Sequence, residues 1–198
     1  MILQRHAHQK IGLLGGSFNP PHAGHREISL LALDWLGLDA VWWLVSPGNP
    51  LKDPAASAPY ERRLSEARKV ARHPAIVVSN FEQRRHLRYT VDTLAALGDL
   101  WPQMRFVWLM GADNLATINQ WKDWRRIFLL APVAVFNRPG FEAAGEESAA
   151  AKEFAAFRID KSRGRALAEM EPPAWAYFSG VDNPLSSTAL RARRALKN

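Results

Sequence analysis

The residues best placed to do chemistry lie together at Gly15–His25, which reads GGSFNPPHAGH. His22 and His25 stand three positions apart, so both imidazoles fall on one face of a first helical turn. Each can donate a hydrogen bond to a non-bridging phosphate oxygen, and the pair suits a phosphate on which negative charge grows during group transfer. Gly15 and Gly16 remove the Cβ that would hold an anion away from backbone N–H groups. Pro20 and Pro21 keep helix from starting before them. The free N–H groups and positive dipole end of the next helix then face whatever this turn encloses. A lone histidine is ordinarily a partly buried, hydrogen-bonded residue, but two in this setting read as a phosphate site.

A strand and a helix must position that turn. Lys10–Leu14 is a short apolar run closed by the two glycines, as a buried strand is, and Ala23–Leu36 repeats its apolar residues at helical spacing before Gly37. The pattern continues with strands at Ala40–Val45, Ala75–Ser79, Arg105–Met110, Val133–Asn137 and Trp175–Phe178. Helices are predicted at Tyr60–Ala71, Thr90–Leu100, Asp113–Leu130 and Glu142–Phe157, with a last one from Ser187. The Pro- and Ser-rich segment Ser46–Pro59 is a loop, longer than the usual connection of about 4–6 residues. Strands alternating with helices specify one α/β domain, a Rossmann-like doubly wound parallel sheet with helices on both faces. Its ligand crevice lies outside the carboxyl ends of the strands, where the loops after the first and fourth strands meet. Residues 1–9 read as an N-terminal extension to a domain spanning 10–198.

Composition narrows the classes. The 198 residues are 47% apolar and 23% charged, too hydrophobic for a disordered chain, and no apolar run approaches the roughly 20 residues of a membrane helix. With no cysteine, thiol nucleophiles, Cys-ligated zinc and iron–sulfur clusters are excluded, and a cytoplasmic location is expected. The polar start MILQRHAHQK has no apolar core of a secretory signal. A formal charge of +7 points to an anionic ligand, which a polyphosphate or a nucleic acid would equally satisfy.

The GGSFNPPHAGH segment resembles the first signature of the nucleotidylyltransferase superfamily, G-x-F-x-P followed by H-x-G-H or T-x-G-H. Leu185–Arg191 (LSSTALR) resembles the second signature of the superfamily's adenylyltransferases. There Ser186 or Ser187 would cap a helix, Thr188 would offer its hydroxyl and N–H to ATP phosphate, and Arg191 would face the β- and γ-phosphates. From Lys10 onward the chain is similar to bacterial nicotinate-nucleotide adenylyltransferases, through SPGNPLK at Ser46–Lys52, Tyr89-Thr90, Gly111–Asp113, Trp121 and NRPG at Asn137–Gly140. The resemblance implies transfer of the adenylyl group of ATP to nicotinate mononucleotide, with Mg²⁺ held mainly by ATP phosphates and water and no protein metal ligands. It implies catalytic roles for His22, His25 and Arg191. ATP contacts would come from these residues and from Gly15, Gly16, Ser17, Phe18, Gly111, Asp113, Ser187 and Thr188, with Asp113 at ribose hydroxyls. The acceptor would meet Asn19, Lys52, Thr90 and Trp121, with Lys52 at its phosphate, the indole of Trp121 flat on the pyridine ring and Thr90 at its carboxylate.

Ser17 and Asn19 stand where the family more often has Thr and Asp, and Lys122 where an aromatic is common, leaving that lysine either exposed or attracting the substrate carboxylate. A related reading, the phosphopantetheine adenylyltransferases, shares both signatures but usually has Thr in place of His22 and lacks the Trp121 segment. A nucleic-acid-binding module, suggested by QRRHLR at Gln83–Arg88 and by the basic C-terminus, has no zinc-finger, RNP-type or heptad-backed basic motif to support it, and no nucleic-acid or membrane partner is expected. Neither GxxxxGK[ST] nor GxGxxG occurs.

Overall fold

The computed structural model describes residues 8–48, 57–180 and 187. In chain order its elements are β1 (Lys10–Gly16), α1 (Ala23–Trp35), β2 (Ala40–Val45), α2 (Tyr60–Ala71), β3 (Ile76–Ser79), α3 (Phe81–Arg84), α4 (Thr90–Leu100) and β4 (Arg105–Gly111). Then follow α5 (Ala112–Thr117), α6 (Trp124–Leu130), β5 (Val133–Phe136), α7 (Glu142–Glu146), α8 (Ala149–Glu153), β6 (Arg158–Ile159), α9 (Gly164–Leu167) and β7 (Trp175–Phe178). Seven strands form one parallel sheet in the order β3-β2-β1-β4-β5-β7-β6. The winding reverses between β1 and β4, so the loops leaving these two strands adjoin, as the alternation predicts.

Side chains of the inner strands divide by the period of two. Trp108, Met110, Val133, Val135, Trp175 and Tyr177 face a core made with α4, α5, α6 and α8. Val107, Leu109, Ala134, Phe136, Ala176 and Phe178 face a second core made with α1, α2 and α9. Covered on both faces, β4, β5 and β7 read as continuous apolar runs. The first domain residues reach back as far as His8 and Gln9, whose backbone groups bond to Gln103 and Arg105.

Three stretches depart from the periodicity. The helix predicted over Asp113–Leu130 is two, α5 and α6, because Trp121 is extended and Asp123 takes a left-handed conformation at φ 47° before α6. Glu142–Phe157 is likewise not one helix: it breaks at Ser148, whose hydroxyl accepts from Ala151 N–H to start α8 afresh. Runs of alanine carry too little periodicity to reveal that stop. The short α3, β6 and α9, for which no element was expected, add a single turn after β3, an edge strand beside β7 and a turn packed under α1. No helix among the described residues is long and apolar enough to cross a membrane.

Candidate active site

The crevice at the switch point is built first by the turn between β1 and α1. A Cβ on Gly15 would overlap the edge of the Trp108 indole, so packing against the neighbouring strand by itself requires a glycine here. At Gly16 a Cβ would make ordinary contact with Phe18. The chain reverses at Phe18 (φ 46°), whose ring is buried and stacks on Trp43 at 4.9 Å. Asn19, expected at the acceptor, is buried, and its Oδ1 accepts from Ala58 N–H, tying the turn to the segment before α2.

His22 is the N-cap of α1 and His25 its third residue, and their rings lie 3.8 Å apart. His25 Nδ1 accepts the backbone N–H of His22, which fixes the imidazole's proton on Nε2. Behind it, Ser29 Oγ donates to His25 O and accepts from Trp43 Nε1, so the turn carrying both imidazoles is braced from within. Burial is the main reason both rings resist protonation. His22 is lowered to about 4, with Arg138 adding to the effect and Asp113 opposing it. His25 lies well below the usual histidine range, with His22 as the next cause. Both are therefore neutral N–H donors at pH 7. The first turn of α1 contains no acidic side chain to repel an anion from its positive end, and its His25 N–H turns back to the His22 carbonyl.

Opposite them, β4 delivers Gly111 and Asp113. Gly111 is the N-cap of α5, and a Cβ there would fall 2.4 Å from Asp113 Oδ1. Asp113 Oδ2 accepts from Arg138 Nη1 at 2.7 Å. Asp113 Oδ1 and His22 Nδ1 are both buried and have no hydrogen-bond partner among the described residues. Polar atoms in that condition are costly unless a ligand or water completes them, and these two flank the same crevice.

Ser187 lies in the second signature, and its hydroxyl donates to Pro20 O at 2.9 Å across 167 residues of sequence. The two signatures thus meet at the histidine turn. Lys52, Thr188 and Arg191 lie outside the described residues.

On the acceptor side, Thr90 opens α4 and Trp121 precedes α6. Lys122 joins the two, pairing with Asp92 at 3.1 Å and lying 4.7 Å over the Tyr89 ring. Lys122 is exposed, as one of its two expected readings has it, and it shares its charge with the Asp92 carboxylate and the Tyr89 ring. Trp121 itself is half-buried against the core of that face.

Two arginines belong to the site although the motif reading did not single them out. Arg138 sits in the NRPG segment just after β5, a position at the carboxyl end of a strand that could have marked it. Arg63, only 3% exposed, carries no such signal. Its guanidinium donates to the carbonyls of Ser17, Ser46, Pro47 and Ala58, clamping the loops after β1 and β2 to the start of α2.

The cytidylyltransferase-like family model matches residues 13–193. A protein of Ruegeria pomeroyi named probable nicotinate-nucleotide adenylyltransferase is 49% identical over 184 residues, covering 93% of this chain and 86% of its own. Another of that name, from Cereibacter sphaeroides, is 52% identical over 182 residues, 92% of this chain and 96% of its own. The chain belongs to the cytidylyltransferase-like family. Within it the chain groups with the nicotinate-nucleotide adenylyltransferases. A solved Plasmodium falciparum nicotinic acid mononucleotide adenylyltransferase, complexed with NaAD, shares the fold at a TM-score of 0.68 and 17% identity, over 93% of this chain and 83% of its own.

Proposed function

We propose that this chain transfers the adenylyl group of ATP to nicotinate mononucleotide, releasing pyrophosphate and forming nicotinate adenine dinucleotide. An oxygen of the acceptor 5′-phosphate forms a bond to the α-phosphorus, and the bond from that phosphorus to the β-phosphate oxygen breaks. The attacking oxygen is already ionised, so the reaction needs no general base, only in-line alignment and stabilisation of charge at the α-phosphate. The observation that carries this reading is the pair of neutral imidazoles at the N-terminus of α1, where one imidazole nitrogen and one oxygen of Asp113 are buried without a partner among the described residues. These groups complete their hydrogen bonds when a nucleotide phosphate and ribose enter. The relatives' shared name supports the same substrates.

In this reading His22 and His25 donate to the non-bridging α-phosphate oxygens, assisted by the helix dipole. Gly16, Ser17 and Phe18 line the phosphate turn, Gly111 and Asp113 take the ribose, and Ser187, Thr188 and Arg191 receive the outer phosphates. Thr90 and Trp121 hold the nicotinate ring, and Lys52 its phosphate. Among the described residues no three carboxylates or histidines converge as a metal cage. Mg²⁺ would arrive as the ATP complex, where it would neutralise phosphate charge while keeping water ligands. A cytoplasmic setting, where both substrates are available, agrees with the absence of cysteine.

The test is pyrophosphate release from MgATP with nicotinate mononucleotide, nicotinamide mononucleotide, phosphopantetheine or no acceptor. Release should require the nicotinate mononucleotide, and His25→Ala should lower kcat by about 10²–10³ while changing ATP affinity less than about threefold. Release with phosphopantetheine alone, or wild-type turnover in His25→Ala, would overturn the substrate or the histidine role respectively.

A further inference from the structure

One buried carboxyl is left without a task in this reaction. Glu82 lies on α3 and is 7% exposed, and among the described residues its side chain meets one partner, Thr93 Oγ1 at 3.0 Å. Thr93 is fully buried one turn into α4, and the same oxygen lies 3.2 Å from the carbonyl of Tyr89, the residue that caps this helix. A threonine hydroxyl has one proton and two lone pairs. Set between a carboxylate and a carbonyl it could satisfy only one of them fully. Both contacts are complete when Glu82 keeps its own proton and donates it to Thr93, which donates onward to Tyr89. Burial favours that state, pushing the Glu82 carboxyl up to about 7 against the opposing effect of the Thr93 hydroxyl, which as a donor would favour the carboxylate. The Glu82 carbonyl also accepts from Leu87 N–H, closing the short link from α3 toward α4.

The first turn of α4 is therefore held from two sides. Lys122 grips Tyr89 and Asp92 on its outer face, and the Glu82–Thr93 chain grips the Tyr89 carbonyl from the core. We propose that Glu82 is a positioning residue of the acceptor subsite: through the Thr93 hydroxyl and the Tyr89 carbonyl it sets the first turn of α4 and with it Thr90. This rests on the reading of Thr90 as a contact of the nicotinate carboxylate.

Steady-state kinetics on Glu82→Ala, Glu82→Gln, Thr93→Val and Thr90→Val separate the possibilities. Glu82→Ala should raise KM for nicotinate mononucleotide about tenfold while kcat and the KM for MgATP stay within about twofold, since a lost positioning contact weakens one substrate's binding. Glu82→Gln should stay near the wild type, because its amide still donates to Thr93. Thr93→Val should match Glu82→Ala, and the double variant should be no worse than either, as members of one chain are not additive. Should Glu82→Ala not fold, the near-isosteric Thr93→Val carries the test with Glu82→Gln as its control. The inference falls if the acceptor KM is unmoved, if both KM values rise together, or if Gln is no better than Ala. Thr90→Val tests the underlying reading by itself: an unchanged acceptor KM there, with Glu82→Ala still selective, removes Thr90 and leaves Glu82 acting on the rest of the turn.

Discussion

Two imidazoles whose centroids stand 3.8 Å apart could not both carry charge without strong repulsion, and burial holds each below the pH at which it would. Neutrality suits them, since a neutral ring still offers an N–H, and a polyanion entering beside it makes protonation easier. Beneath them, Gly15 shows how the same turn depends on packing. Its Cβ position is filled by the far edge of the Trp108 indole, so Gly15→Ala should lower the unfolding free energy by about 2–3 kcal/mol through overpacking. Trp108→Phe removes the offending Cη2 edge. In a double-mutant cycle followed by urea denaturation, the cost of Gly15→Ala should therefore shrink in the Phe background. Equal costs in both backgrounds would show that the Trp108 edge is not what excludes a side chain at Gly15.

Elements reach the site through loops, and Arg63 governs two of them. A buried guanidinium spread over the Ser17, Ser46, Pro47 and Ala58 carbonyls replaces a carboxylate partner with backbone dipoles. Arg63→Met keeps much of the volume but strands those carbonyls. It should cost about 2–4 kcal/mol of stability and loosen the turn after β1, with limited proteolysis detecting the loosening. Such a residue shows where sequence reading stops. β1 and α1 were legible because their apolar spacing and the Gly and Pro punctuation are local. Ser187 was legible through its signature, and its bond to Pro20 shows the two motifs meeting. Arg63 and Glu82 were not, because a buried charge looks like any surface arginine or glutamate until the fold supplies its partners, and Arg138 carried only the signal of its place after β5. Asp123 in a left-handed conformation and Ser148 as a cap split the two overlong helices for a related reason: both acts are single-residue choices inside stretches whose periodicity persists.

At the scale of the molecule, these buried groups set opposing dependences of stability on pH. His22 falls from 6.5 to about 4 on folding, so its contribution is complete above 6.5 and is lost as pH falls toward 4, where the unfolded chain alone takes the proton. His25, lowered in the same direction, adds to this. Glu82 runs the other way. Raised from 4.5 to about 7, it favours the native state below 4.5 and loses that advantage as pH rises toward 7. Between about pH 4.5 and 6.5 one carboxyl therefore offsets one imidazole, and the wild-type curve is shallower than the two histidines alone would make it. Urea unfolding across this window should show Glu82→Gln steepening the rise of stability with pH by up to about 1.4 kcal/mol per pH unit, and His22→Asn flattening it by a similar amount. Parallel curves for Glu82→Gln and the wild type would mean that Glu82 has the same proton in both states. They would also leave the Thr93 hydroxyl choosing between its two acceptors, so the measurement bears on the first turn of α4 without any substrate present.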